Sequence, residues 1–110
     1  MNRGDMWGLN AKIFVERKAA GRSHVVAIWT RHGKGRQERG AANIIHVVED
    51  FGNGDTLVYD GVQVNSPRDI PLAVVGGTGK YAGADGTAVI EEISFRGRTL
   101  RERVTVTFTP

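Results

Sequence analysis

The sequence predicts an all-β fold, a small antiparallel β-barrel of seven to eight strands in which residues 1–110 form one domain. Three observations support this prediction. The chain has 15 glycines and many β-branched residues, a composition typical of short strands joined by tight turns. Apolar and polar residues alternate with a period of two along most of the chain. No segment of about ten residues shows the 3.6-residue period of a helix.

The alternating segments are separated by glycine-rich or proline-containing segments, which favour turns. The predicted strands are 9–18, 24–31, 41–49, 56–64, 70–75, 86–95 and 98–108. The predicted turns are at 20–21, 32–35, 52–54 and 96–97. Segment 66–69 is predicted to be a loop, because Pro67 and Pro71 lack the N–H that a central strand donates to its neighbour.

Composition limits the possible functions. The chain has no Cys, which excludes disulfides, thiolate nucleophiles and cysteine metal sites. The three histidines lie in different segments without ligand spacing, so we predict no metal site. The sequence has no run of eighteen apolar residues and no amino-terminal signal pattern. We therefore expect a cytoplasmic protein that does not insert into membranes.

The glycine-rich segment 72–86 looks at first like a phosphate-binding loop. A Walker-type loop needs Gly five residues before the Gly79-Lys80 pair and Ser or Thr after it, whereas the chain has Val74 and Tyr81 at these positions. We interpret the segment as a corner between two strands, with a second turn at Asp85-Gly86.

Three features in this part of the chain form a recognisable pattern: Gly-Asp-Thr-Leu-Val-Tyr at 54–59, Gly61, and Leu-Ala-Val-Val-Gly-Gly-Thr-Gly-Lys-Tyr-Ala-Gly-Ala-Asp-Gly-Thr-Ala at 72–88. The pattern resembles the signature of the dirigent and allene oxide cyclase barrel superfamily, over residues 43–95. The resemblance implies an oligomeric, calycin-like barrel that folds a hydrophobic polyketide-like or terpenoid-like intermediate and directs stereoselective ring closure without a cofactor. Allene oxide cyclases use a pocket cysteine, which this chain lacks.

The last predicted hairpin places two carboxylates inside the barrel. A two-residue turn at Arg96-Gly97 sets Glu91 directly opposite Glu102 on an apolar face. Two like charges in such a place raise the pKa of one carboxyl, which suits general acid and base catalysis. The alternatives are that each acid pairs with an interior Arg or His, or that a bulge shifts the register and sends one acid to solvent.

The middle strands supply further candidates. In segment 43–49, the inward face carries either His46 or Glu49, and His46 is our predicted general base or proton donor. A hydrogen-bonded His with a structural role is the alternative. Trp29, Tyr59 and Phe108 are predicted to contact a hydrophobic substrate, although the pattern fits Tyr59 equally well on the outer face.

Two other functions fit the sequence. A non-catalytic barrel that binds a small molecule has the same requirements as a cyclase. The isoelectric point of 9.7 and the basic run 31–39 suggest nucleic-acid binding, but no aromatic residues are interleaved with the run. A solvated hairpin tip explains the run better. Because a barrel of seven strands is difficult to close, we also predict a homo-oligomer that covers the seam.

Overall fold

The computed structural model describes residues 6–31, 42–64, 69–96 and 99–109, which form one antiparallel sheet of seven strands. The strands are β1 (Met6–Val15), β2 (Lys18–Arg31), β3 (Ala42–Asp50), β4 (Thr56–Val64), β5 (Asp69–Thr78), β6 (Gly86–Arg96) and β7 (Thr99–Phe108). Strands adjacent in the chain are adjacent in the sheet, which curls strongly into a half-barrel. The predicted all-β antiparallel class is confirmed. No helix in the described ranges is long and apolar enough to span a membrane.

The concave face of the curled sheet carries the hydrophobic core. Its side chains alternate with exposed ones along the strands, as the period of two requires. The core consists of Ala27, Ile45, Val47, Leu57, Tyr59, Leu72, Val74, Ala88 and Ile90. Strands β3 and β4 form its centre, where the largest fully buried side chains, Val47 and Tyr59, lie directly opposite each other.

The first turn lies earlier than predicted. Glu16 and Arg17 both have positive φ, at 51° and 68°, and join β1 to β2 as a two-residue hairpin turn. Gly21, predicted to lie in the turn, is instead within β2. A side chain at Gly21 would collide with the carbonyl oxygen of Asp50 on β3. The glycine therefore permits close strand contact and does not make the turn.

The glycine-rich corner is shorter than predicted, because β5 is longer. Strand β5 continues to Thr78 because the register shifts at Val75, which places Gly76 opposite Val58. A single 3-10 turn, Gly79–Tyr81, then leads toward β6. A Cβ at Gly77 would collide with the carbonyl oxygen of Thr56 on β4. Close backbone packing explains the glycine at this position.

The predicted register of the last hairpin is wrong. Glu92, and not Glu91, lies opposite Glu102, while Glu91 lies opposite Arg103. The register shifts between Glu92 and Ser94, so Ile93 is the extra residue of a β-bulge. This is the shift that the sequence left open as an alternative. The predicted turn residue 97, the predicted loop residues 66–68 and the basic run beyond Arg31 lie outside the described residues.

Candidate functional site

A buried carboxyl on the concave face is the centre of the candidate site. Glu49, near the end of β3, is only 5% exposed and shares its face with Val47. Ser23 of β2 and Leu57 of β4 lie opposite it on the two neighbouring strands. The Ser23 hydroxyl donates a hydrogen bond of 2.9 Å to Glu49 Oε1. Strand pairing therefore gives this acid one neutral hydrogen-bond donor on β2 and an apolar neighbour on β4.

These surroundings favour a protonated carboxyl. Burial raises the pKa of Glu49 above its usual 4.5, the hydrogen bond from Ser23 opposes the rise, Glu102 adds to it and His24 opposes it. Burial also raises the pKa of Glu102, and the charge of Glu92 raises it further. Both acids therefore hold a proton to a higher pH than an exposed glutamate does.

Glu102 is a second acid on the concave face, on the edge strand β7. Strand β7, which carries Glu102, is separated from β3 by three strands in the sheet, yet the charge of Glu102 acts on Glu49. Glu102 is more exposed than Glu49, so the two acids occupy different environments. A pair of carboxyls in unequal environments is an arrangement that can divide the roles of acid and base.

Tyr59 adds a polar group to the same region. It lies on the concave face of β4 and is 2% exposed, so the structure places it inside, one of the two positions that the sequence allowed. Burial, followed by the charges of Glu49 and Tyr81, raises the pKa of its phenol. Tyr59 is therefore a neutral phenol at physiological pH, able to donate a hydrogen bond.

A row of aromatic rings lies beside the corner between β5 and β6. The ring centroids of Phe51 and Tyr81 are 5.4 Å apart, and those of Tyr81 and Phe108 are 6.2 Å apart with nearly parallel planes. The ammonium group of Lys80 lies 5.1 Å from the centroid of Tyr81. A shallow open depression of about 270 Å³ is lined by Lys80, Tyr81, Ala82, Gly83, Ala84 and Phe108. Phe108, a predicted substrate contact, thus borders an apolar surface.

Trp29, another predicted substrate contact, is half-buried at the other end of the concave face. It lies opposite Asn43 of β3, and Asn43 lies opposite Gln63 of β4. Sequence reasoning missed Asn43. The available signal was its spacing, because Asn43 continues the alternating row of Ile45, Val47 and Glu49.

Two predicted catalytic residues lie on the convex face. His46 is exposed there, and its Nδ1 contacts the carboxylate of Asp60, its partner across β3 and β4. Glu91 follows the concave residue Ile90, so its side chain is on the convex face, and it lies opposite Arg103 of β7. The structure thus places Glu102 on the same face as Glu49 and places His46 and Glu91 on the opposite face. The predicted Glu91–Glu102 pairing fails for two reasons. Arg96, predicted to lie in the turn, belongs to β6 and pairs with Thr99, and the bulge at Ile93 then puts Glu91 and Glu102 on opposite faces.

Within the described ranges, no three His, Asp or Glu side chains are arranged to hold a metal ion. The fold and site define a curled antiparallel β-sheet protein with a buried acid of raised pKa on its concave face. No protein-family model matches the chain, and no curated protein matches it in sequence.

Proposed function

We propose that this protein is a cofactor-free cyclase or isomerase that holds a hydrophobic small molecule against the concave face. The observation that carries the proposal is Glu49, a buried acid with a raised pKa and a single neutral hydrogen-bond donor, Ser23. A buried carboxyl in apolar surroundings lowers stability unless its polar atoms are satisfied. Acids perturbed in this way are concentrated at functional sites.

The two acids supply a proton balance that needs no cofactor. Protonated Glu49 donates a proton to an oxygen or a double bond of the substrate, and ionised Glu102 removes a proton from a neighbouring carbon. The substrate is isomerised without a net gain or loss of protons. After the reaction Glu102 carries a proton and Glu49 is ionised; Glu102, which is exposed, releases its proton to water and Glu49 takes one up, which restores the starting state. The phenol of Tyr59 offers a hydrogen bond to a developing negative oxygen.

The apolar concave face supplies selectivity. A flexible polyene or polyketide-like chain loses most of its alternative conformers when it is held against a shaped apolar wall, so one ring closure is favoured. The resemblance to dirigent and allene oxide cyclase barrels leads to the same substrate class, a polyketide-like or terpenoid-like intermediate.

A non-catalytic binding protein is the second candidate. The observation in its favour is the packing in the middle of the concave face, where core side chains such as Ala27 and Val47 are 0% and 1% exposed. Such a filled centre leaves the ends of the face for ligand contact. A ligand held at an end would be bound and presented without conversion.

One experiment separates the two candidates. The protein is incubated with a panel of polyketide-like and terpenoid-like intermediates, products are resolved by chiral chromatography, and bound ligand is detected by native mass spectrometry. A cyclase gives one enantiomer in excess, and Glu49→Gln abolishes this product while ligand is still bound. Glu16→Gln, at an exposed turn, is the matched control and keeps the wild-type rate. Bound ligand without any product would support the binding protein.

We also propose a homo-oligomer, formed through the convex face. Met6, Ile28, Ile44 and Val62 are partners across β1 to β4 and form one apolar row, each at least 40% exposed. A continuous apolar row on four strands is typical of an interface. Light scattering after size exclusion tests this: Ile44→Lys should yield monomers, whereas Val75→Lys, at a bulge outside the row, should not.

A further inference from the structure

Two polar atoms on the concave face have no hydrogen-bond partner. They are Asn43 Oδ1 and Trp29 Nε1, both buried and both unpaired with any group that the structure describes. Asn43 is 3% exposed. The two residues are direct partners on β2 and β3, so an unused acceptor and an unused donor come from neighbouring positions of the sheet.

Local structure fixes this pair in place. Asn43 Nδ2 donates to Gln63 Oε1 of β4 at 3.5 Å, which orients the amide and leaves Oδ1 free. The register of β2 and β3 shifts immediately after Trp29, and the Thr30 hydroxyl donates to the carbonyl oxygen of Ala42 at 3.3 Å. Bulges of this kind re-aim side chains beside functional sites.

The pair lies far from the acid site. Asn43 and Glu49 are six residues apart on one strand, which corresponds to roughly 20 Å at the usual rise of a β-strand. The residues of that row between them, Ile45 and Val47, are apolar and buried. The concave face thus has a polar group at each end of an apolar stretch.

We infer that Asn43 and Trp29 form a second binding site, for a neutral group that both accepts and donates a hydrogen bond. A carboxamide or a hydroxyl meets this requirement, because its oxygen accepts from the indole N–H and its own hydrogen is donated to Asn43 Oδ1. An ester or a carboxylate has no hydrogen to donate, and an ammonium group cannot accept. The inference rests on the proposed function only in taking the concave face as the ligand-binding surface.

The test uses Trp29 as its own reporter. The chain has two tryptophans, so Trp7→Phe leaves Trp29 as the single indole. This protein is titrated at neutral pH with octanamide, methyl octanoate and octanoate, which share one apolar chain. Octanamide should bind about tenfold more tightly than methyl octanoate and change the Trp29 emission, because the ester leaves the buried acceptor unpaired. Equal affinity of amide and ester, or no binding of any of the three probes, would overturn the inference.

Two variants of the single-tryptophan protein complete the test. Asn43→Leu should remove the preference for the amide and raise the melting temperature of the free protein, because the unpaired oxygen is gone. Asn10→Leu, at an exposed position that binds Arg22, should keep the preference. A preference that survives Asn43→Leu would also overturn the inference. Glu49→Gln should keep the amide preference. If the wild-type protein prefers the amide but converts none of the intermediates in the panel, only the cyclase proposal fails.

Discussion

The two acids of the proposed site lie on strand pairs that are built in different ways. Strands β3 and β4 are paired from Ala42 to Asp50 without a register shift and are joined by a turn in which Gly52, Asn53 and Gly54 all have positive φ. Strands β6 and β7 are interrupted by the bulge at Ile93. In addition, β7 is an edge strand of the sheet, and most of its described side chains are exposed.

The difference between the pairs suits the proposed division of roles. A carboxyl on a continuous, buried ladder is desolvated, which raises its pKa, as it does for Glu49. A carboxyl on an edge strand beside a bulge stays in contact with water, through which it can exchange protons, as Glu102 does. In the proposed reaction, the continuous pair supplies the proton donor, and the edge pair supplies the acceptor.

The largest expected effect is on stability, at the centre of β3 and β4. Tyr59→Ala should lower the free energy of unfolding by about 3–5 kcal/mol, because it removes a fully buried ring from the core. Val104→Ala on β7, which is 38% exposed, should lower it by less than about 1 kcal/mol. Urea denaturation of both variants measures the contrast. Equal losses of unfolding free energy would mean that the two strand pairs contribute equally to stability.

The second effect tests the register of β6 and β7. Because the chain has no cysteines, two can be introduced without side reactions. Glu92→Cys with Glu102→Cys should form a disulfide and raise the stability by about 2–3 kcal/mol, since direct partners have Cα atoms at a suitable distance. Glu91→Cys with Glu102→Cys should stay reduced under the same oxidant. Non-reducing mass spectrometry reads the outcome, and the opposite pattern would restore the register predicted from the sequence.

The same contrast explains how far the sequence alone predicted the fold. The predicted strands 41–49 and 56–64 agree with Ala42–Asp50 and Thr56–Val64, because clear alternation and a Gly-Asn-Gly turn specify both ends. The register of β6 and β7 was missed because Ile93 is apolar and continues the alternation in the sequence. A bulge of this kind has no local sequence signature when its extra residue is a common strand former.

The candidate site was predicted in part. Glu102 lies on the concave face as the sequence predicted, but the other concave acid of raised pKa, Glu49, is on β3, with three strands between β3 and β7. Alternation within one strand cannot show the electrostatic interaction of these two acids, which depends on the curl of the whole sheet. The sequence did not show whether His46 or Glu49 faces inward, because the alternate residues beside each of them are apolar. Pairing with Ser23 and Leu57 places Glu49 on the concave face.

The third effect is a dependence of stability on pH. Because the pKa of Glu49 is raised in the folded protein, the folded state binds its proton more tightly than the unfolded state does. Its contribution to stability is complete below the unfolded value of 4.5 and is lost as pH rises through the folded pKa. Glu49→Gln should therefore reduce the decrease in unfolding free energy that accompanies rising pH. It should also stabilise the protein at pH 7 by about 1–2 kcal/mol.

Two further variants place this effect at the correct strand pair. Glu91→Gln, on the convex face of β6, should leave the pH profile unchanged. Glu102→Gln combined with Glu49→Gln should flatten the profile further, because the pKa of Glu102 is also raised by burial. Chemical denaturation at several pH values measures all of them. If Glu91→Gln changes the pH dependence of stability more than Glu49→Gln does, the pH dependence comes from the β6–β7 pair and not from β3.

The smallest expected effect is at His46, the residue for which the sequence predicted a general base. Its contact with Asp60 is an exposed pair on the convex face, and such pairs contribute less than about 1 kcal/mol because water screens both groups. His46→Ala should therefore change the free energy of unfolding only slightly and leave ligand binding and product formation unchanged. A tenfold loss of turnover with unchanged stability would show that the convex side of β3 and β4 takes part in the reaction, and that the division of roles between the two acids is incomplete.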